Sequence, residues 1–139
     1  MSPRRSCGAA EHFYLFTSSS LLVVFKKDMN NFGKHAETLA VWYLRLHGYE
    51  ILARNFRSRF GEIDIIAKDK DCLVFCEVKY RKNENFGDPL SAVDLKKQRK
   101  ITQTARYYML SNNISDNSNV RFDVVGILGE KITYVRNAF

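Results

Sequence analysis

The sequence predicts a single α/β domain in which a central mixed sheet is flanked by helices. Two observations support this class. Segments with helical periodicity and β-rich segments follow one another in the order α-β-β-β-α-β-β, and such elements pack most economically as helices against a sheet. The length of 139 residues and the apolar content of 45% fit one domain with a real core, and they argue against a disordered chain.

The first helix is predicted to begin at Asn30 or Asn31, which are plausible N-caps, and to end near His47. Gly48 follows as a typical C-terminal glycine. The predicted core face of this helix consists of Ala36, Leu39, Ala40, Tyr43 and Leu46. A short strand over residues 49–53 comes next, and a basic loop that ends at Gly61 then contains Arg54, Arg57 and Arg59.

The remaining elements are predicted from alternation and turn residues. Residues 62–68 and 72–80 are strand candidates joined by a turn at 69–71. Pro89 fits the first turn of a long helix that runs to about Ser111. After a polar linker over 112–119, the last two strands are predicted at 120–128 and 131–136.

The first 28 residues are predicted to form a non-core extension, either disordered or upstream of a true start at Met29, ahead of a domain over 29–139. An export signal is the alternative, because Arg4 and Arg5 precede an apolar run over 13–25, but no small-residue cleavage site follows that run. The run is short for a bilayer span, so no integral membrane association is expected.

The composition narrows the class of partner. Lys and Arg number 22 against 15 Asp and Glu, which gives a formal net charge of +7. This excess favours a polyanionic partner, either nucleic acid or an acidic membrane surface. The three cysteines form no CxxC pair and have no zinc-type spacing to the histidines. They favour a reducing, cytoplasmic compartment.

Two neighbouring predicted strands carry charged residues where apolar ones are expected. Asp64 lies among isoleucines, and Glu77 and Lys79 lie two positions apart on one face of the next strand. A carboxylate inside an apolar strand is costly to desolvate unless it is paired or binds a metal. A two-residue turn at Lys70-Asp71 would place Asp64 opposite Glu77 on the same face, whereas a slip of one residue would separate them.

Two carboxylates on adjacent strands form a hard-oxygen site suited to Mg²⁺ or Mn²⁺. Such an ion lowers the pKa of a bound water and neutralises the charge that develops on a phosphoryl group. Lys79, beside the ion, would orient that water and stabilise the same charge. The alternative of equal weight is a strand salt bridge between Lys79 and one of the carboxylates.

Four segments carry a family resemblance: GEIDIIA at 61–67, FCEVKYR at 75–81, the basic helix, and RFDVVGI at 121–127. Together they resemble the YraN-like uncharacterised protein family 0102 over about residues 31–128. That family is similar to the restriction-endonuclease-like PD-(D/E)xK nuclease superfamily and to its Holliday-junction resolvase branch. The resemblance implies an αβββαβ core and a Mg²⁺-dependent endonuclease that hydrolyses DNA phosphodiester bonds.

Carried over position by position, the resemblance implies Asp64, Glu77 and Lys79 as catalytic residues and Asp64, Glu77 and Glu37 as metal ligands. Glu37 matches the helical glutamate that resolvase-like relatives add to the metal site, although its periodicity fits a surface glutamate just as well. The implied partner is DNA, branched, flapped or single-stranded, in repair or recombination. Because resolvase-like relatives are often dimers, the resemblance leaves a homodimer open.

Basic residues supply candidate phosphate contacts. Lys96, Lys100, Gln103 and Tyr107 lie along one stripe of the second helix, for which a solvated basic face is the favoured interpretation. The predicted nucleic-acid-binding residues are Arg54, Arg57, Arg59, Arg81, Lys96, Lys100, Gln103 and Tyr107. Two alternatives to an enzyme stay open: a non-catalytic nucleic-acid-binding accessory protein on a nuclease fold, and an adaptor for an acidic protein or the inner membrane face.

Overall fold

The computed structural model describes residues 11–13, 32–86 and 93–139. Helix α1 spans Phe32–Leu46 and helix α2 spans Leu95–Ser111, with a short 3-10 helix at Glu84–Phe86. The strands are β1 (Glu11–Phe13), β2 (Glu50–Ser58), β3 (Gly61–Asp69), β4 (Cys72–Arg81), β5 (Val120–Leu128) and β6 (Lys131–Val135).

The strands form one mixed sheet in the order β1-β6-β5-β4-β3-β2. β4 and β5 are parallel, and helix α2 lies on the connection between them, as a parallel crossover requires. The other neighbours are antiparallel. The predicted α/β class with an αβββαβ core is therefore confirmed. No helix in the described ranges is long and apolar enough to cross a membrane.

The predicted extension of 28 residues lies mostly outside the described part of the chain. Its three described residues, Glu11–Phe13, form β1, which pairs with β6 at the edge of the sheet. Most of the extension therefore stays a prediction. The caps predicted at Asn30 and Asn31 and the helical turn predicted at Pro89 also lie outside the described residues.

Each helix covers one face of the sheet. Helix α1 packs on a buried cluster that includes Ala67, Val74 and Val125, and helix α2 packs on one that includes Ile66 and Phe75. Successive residues of β4 alternate between the two clusters, as strand geometry requires. The central strands thus extend between two apolar layers.

The predicted core face of α1 is wrong at its last member. Leu46 is 54% exposed, whereas Leu44 and Val41 are buried together with the other predicted residues. The buried stripe is centred on Ala40 and Leu44, and a residue two positions beyond Leu44 is rotated by about 200° around the helix axis. Gly48 ends the helix with a positive φ of 84°, as predicted.

Two predicted boundaries are also wrong. β2 continues to Ser58 as the edge partner of β3, so Arg54 and Arg57 lie in a strand and not in a loop. Basic side chains are compatible with this edge strand because its residues alternate between partly buried and exposed. Helix α2 begins at Leu95, since the extended Asp94 is its N-cap and accepts a hydrogen bond from the Lys97 N–H at 2.8 Å.

A buried ion pair within β5 is the centre of a hydrogen-bond network on the α1 face. Arg121 Nε donates to both carboxylate oxygens of Asp123 at 2.9 and 3.0 Å, and the two side chains are 3% and 0% exposed. Arg121 also donates to Asp69 and to the Tyr49 hydroxyl. The Tyr134 hydroxyl and the Asn137 N–H donate to the same Asp123 carboxylate. This network gives the RFD segment of β5 a structural role.

Loss of this pair is expected to destabilise the fold strongly. Arg121→Met should lower the free energy of unfolding by about 3–5 kcal/mol, because Asp123 would stay buried without its cation. The matched control is Arg57→Met, which breaks an ion pair with Glu62 in which the arginine side chain is 77% exposed, and it should cost less than about 1 kcal/mol. Urea unfolding followed by circular dichroism measures both, and equal losses would contradict the structural role.

Candidate active site

The β3–β4 hairpin has the register that its turn predicts. Asp69 pairs with Cys72 across the two-residue turn, in which Lys70 has a positive φ of 57°. The ladder continues without a shift to Ile65 opposite Cys76. The one-residue slip that would have sent the two carboxylates to opposite faces is therefore absent from this hairpin.

The last main-chain pair between β3 and β4 is therefore Ile65 with Cys76. At the next position, where Asp64 would face Glu77, the two strands no longer pair. There the N–H of Val78 donates to Asp64 Oδ2 at 2.8 Å. The Asp64 carboxylate thus takes the place of a main-chain acceptor at the point where the two strands separate. Alternation along β4 places Glu77 on the α2 face, in line with Phe75.

Glu77 is nearly enclosed, with a side chain that is 11% exposed. Its Oε1 lies 3.2 Å from Lys97 Nζ, in an ion pair with the first turn of α2. Its Oε2 is buried and has no hydrogen-bond partner among the described residues. A buried carboxylate oxygen without a partner is costly, and a bound cation would satisfy it.

The pKa of the Asp64 carboxyl reflects the electrostatics of the site. Burial raises the pKa of the Asp64 carboxyl to about 7, and the nearby charge of Glu77 acts in the same direction. The hydrogen bond from the Val78 N–H lowers this pKa, the charge of Glu37 raises it, and the charge of Lys97 lowers it. The charges of Glu77 and Glu37 therefore both act on Asp64, and this repulsion favours a cation near the Asp64 carboxylate.

Glu37 and Lys79 complete the predicted set. Glu37 lies on α1, is partly buried, and is close enough for its charge to act on Asp64. Lys79 is partly buried on the same face of β4 as Glu77 and pairs in register with Gly126 of β5, which presents no side chain beside it. The fold thus places all four predicted residues around one end of the β3–β4 hairpin.

The chemistry of the donor set fits Mg²⁺ with two protein ligands. Within the described residues, no group of three or more Asp, Glu, His or Cys side chains is arranged to hold a metal ion. Mg²⁺ usually keeps several waters and uses one or two carboxylates together with phosphate oxygens. Asp64 and the unsatisfied Glu77 Oε2 match that requirement. The role of Glu37 as a direct ligand stays a prediction.

Lys97 is the site residue that the sequence pattern missed. The stripe predicted along α2 from the sequence included Lys96 and Lys100, and both are exposed. Lys97 lies between them and turns towards Glu77, with 39% of its side chain exposed. Its partner lies twenty positions earlier on another element, so periodicity within α2 carries no signal for this contact.

The predicted nucleic-acid-binding residues lie in more than one place. Arg54 donates to the Thr38 hydroxyl of α1 at 3.0 Å. Arg81 is exposed at the end of β4. Arg57 lies near the β2–β3 turn, where its charge is paired with Glu62 at 2.8 Å. These three arginines therefore do not form one patch.

The β2–β3 turn rests on α2. The Ser58 hydroxyl donates to the Thr104 hydroxyl at 3.2 Å, and a Cβ atom placed on Gly61 would lie 3.4 Å from Lys100 Cβ. Glycine suits position 61 because its φ of 155° is one that L side chains rarely adopt.

Aromatic and basic side chains share this region. The Arg59 guanidinium lies 4.7 Å from the centroid of the Phe60 ring, and that ring lies 6.5 Å from the ring of Tyr107, which is 45% exposed. Arg59, Phe60, Lys100, Gln103 and Tyr107 together form a surface at the β2–β3 hairpin and α2, which we call the hairpin–α2 surface.

The raised pKa of Asp64 predicts a pH-dependent stability in metal-free protein. The folded state holds this proton more tightly than the unfolded chain, so the free energy of unfolding should fall as the pH rises from 3.8 to about 7. Asp64→Asn keeps an acceptor for the Val78 N–H but cannot ionise. Its loss of stability between pH 5 and pH 8 should be smaller than that of the wild type by roughly 1–3 kcal/mol.

Chemical unfolding in the presence of a chelator at the two pH values measures this difference. The matched control is Asp116→Asn, in the exposed linker after α2. An Asp64→Asn profile parallel to that of the wild type would contradict the burial of this charge.

Comparison with known proteins gives a consistent family assignment. A model described as "Uncharacterised protein family UPF0102" matches residues 36–127. The UPF0102 protein of Lachnoclostridium phytofermentans is 51% identical over 107 residues, which cover 77% of this chain and 91% of the relative. That of Persephonella marina is 49% identical with the same coverage, and one of Clostridium botulinum is 43% identical over 119 residues, covering 81% and 94%. The chain therefore belongs to the UPF0102 family.

Proposed function

We propose that this protein is a Mg²⁺-dependent endonuclease that hydrolyses phosphodiester bonds in DNA. The observation that carries the proposal is the meeting of Asp64 with Glu77, whose buried Oε2 has no partner among the described residues. The resemblance of GEIDIIA and FCEVKYR to the motif segments of the PD-(D/E)xK nuclease superfamily supports the same function. A carboxylate pair with a lysine two positions after the second acid suits this chemistry, because the acids can hold Mg²⁺ and the ammonium can stabilise charge on the phosphoryl oxygens.

Asp64 and Glu77 would hold the ion, and Glu37 would add negative charge beside it. When bound, Mg²⁺ would act as a Lewis acid on a phosphate oxygen and would lower the pKa of a bound water. Asp64 must lose its proton to act as a ligand. Because burial raises the pKa of this carboxyl to about 7, metal binding should strengthen as the pH rises through neutrality and should release a proton.

Lys79 would act on the reacting groups. Its position two residues after Glu77 on the same face of β4 directs it to the same end of the hairpin. An ammonium there can orient the attacking water and stabilise the negative charge that develops on the phosphoryl oxygens. The partly buried setting of Lys79 strengthens that interaction, because the local dielectric constant is lower than in water.

The hairpin–α2 surface would bind the DNA. Arg59 and Lys100 supply positive charge for phosphates, which gives affinity and a steep salt dependence. Tyr107 and Phe60 offer aromatic faces on which an unpaired base can stack. This combination favours DNA with single-stranded segments, such as flaps and branches, over a fully paired duplex.

A second function is supported by a specific observation. Lys97 already pairs with Glu77, and no three-residue ligand group exists within the described residues. Both features suit a non-catalytic nucleic-acid-binding accessory protein that retains a nuclease fold. The cleavage test below separates the two functions.

Purified protein with Mg²⁺ or Mn²⁺ is expected to nick some member of a panel of branched, flapped and single-stranded DNAs. Asp64→Asn, Glu77→Gln and Lys79→Met should each lower the cleavage rate by at least about 100-fold, because the first two weaken binding of the ion and the third removes the charge that acts on the reacting phosphate. The exposed Asp116→Asn control should cleave like the wild type. Full activity in all three site variants would place the chemistry elsewhere, and binding without cleavage on every substrate would favour the accessory function.

The hairpin–α2 surface gives a separate expectation for DNA affinity. Lys100→Gln and Arg59→Gln should each weaken binding to all sequences to a similar degree and lower the slope of log affinity against log salt by about 1. The matched control is Lys68→Gln, an exposed lysine of β3 that lies seven residues, about 23 Å, from Gly61. Fluorescence anisotropy over a salt series measures this, and slopes that change equally in all three variants would exclude a localised surface.

A further inference from the structure

We propose that Lys97 is an internal counter-ion, which neutralises Glu77 in the metal-free protein and leaves it for a DNA phosphate when a divalent ion binds. Because it concerns the same pair of carboxylates, this inference rests on the proposed function. It adds a coupling between metal loading and DNA binding that the two carboxylates alone do not provide.

The position of the ammonium group supports the first part. Lys97 Nζ lies 3.2 Å from Glu77 Oε1, within a site where Glu77 is only 11% exposed. A divalent ion held by Glu77 and Asp64 would lie within a few ångströms of that ammonium. Two like charges at such a distance repel strongly in a partly buried site. Lys97 on Oε1 and a metal on the neighbouring Oε2 therefore compete for the Glu77 carboxylate.

The helix gives Lys97 the freedom to leave without any movement of the backbone. Its N–H donates to the Asp94 cap at 2.8 Å, which fixes the first turn of α2. Its side chain, in contrast, is 39% exposed and has a flexible four-carbon stem. A change of rotamer is enough to withdraw the ammonium from Glu77.

The destination follows from the neighbouring side chains. Lys96 and Lys100 are rotated from Lys97 by about 100° and 60° in the same direction around the α2 axis, and both are exposed. A displaced Lys97 would join these two lysines and extend the basic face next to the site. Metal binding would then increase the positive charge presented to DNA, and by linkage DNA would strengthen metal binding by the same factor.

The test compares Lys97→Met with Lys96→Met, which removes the same charge one residue away on the exposed side of the helix. Mn²⁺ binding is measured at pH 8 by calorimetry and by electron paramagnetic resonance. Lys97→Met should bind Mn²⁺ at least about fivefold more tightly than the wild type, because the competing cation is gone. Lys96→Met should stay within about twofold of the wild type, because an exposed charge is screened.

The gain in DNA affinity on adding Mg²⁺ should change in the opposite direction to the metal affinity. Added Mg²⁺ should strengthen binding of a flapped DNA by the wild type and by Lys96→Met, and the gain should be reduced or absent in Lys97→Met. Tighter metal binding together with a weaker metal-dependent gain for DNA would support the counter-ion role. A purely structural lysine would not give these opposite changes.

Two results would overturn the inference, and they differ in what they say of the proposed function. Equal Mn²⁺ affinity in all three proteins would reject the counter-ion and leave the metal site intact. No Mn²⁺ binding in any of them would reject the inference and the metal site together. If Lys97→Met does not fold, the ammonium signal of Lys97 in the wild type, followed by NMR during addition of Mg²⁺, decides: a shift supports displacement and no change overturns it.

Discussion

The hydrogen bond from the Val78 N–H to the Asp64 carboxylate ends the pairing of β3 with β4, and the candidate site depends on it. On one side of this bond the two strands form a regular ladder between apolar layers. On the other side they separate, and acidic side chains from β3, β4 and α1 gather with a lysine from α2. The buried β3–β4 ladder therefore ends at a group of charged side chains.

The same sheet contains two buried acids in contrasting states. Asp123 is surrounded by donors, since Arg121, the Tyr134 hydroxyl and the Asn137 N–H all reach it. Glu77 has one ion pair and one oxygen with no partner among the described residues. A satisfied buried acid stabilises a fold, whereas an acid kept short of partners has binding capacity left for a ligand. This difference separates the structural acid of β5 from the candidate ligand of β4.

The sequence predicted the element order and the hairpin register because both follow from local patterns: alternation and a two-residue turn. The same patterns singled out Asp64, Glu77 and Lys79 as charged residues within apolar strands, and their role stays a prediction. The sequence could not separate Asp123 from Glu77, since both are acids in apolar strands and only tertiary contacts supply their partners. Lys97 was missed because its contact crosses from α2 to β4. The sequence placed the start of α2 at Pro89, which lies outside the described residues, whereas the extended Asp94 caps the helix directly before Leu95.

A crystal structure of the protein with bound Mn²⁺, located by its anomalous signal, tests the central claim most directly. The expected result is an ion at coordination distance, about 2.1 Å, from an oxygen of Asp64 and from Glu77 Oε2. Lys97 Nζ should then no longer lie 3.2 Å from Glu77 Oε1. An ion bound elsewhere, with the Lys97–Glu77 pair intact, would contradict a divalent-cation site at the open end of the hairpin.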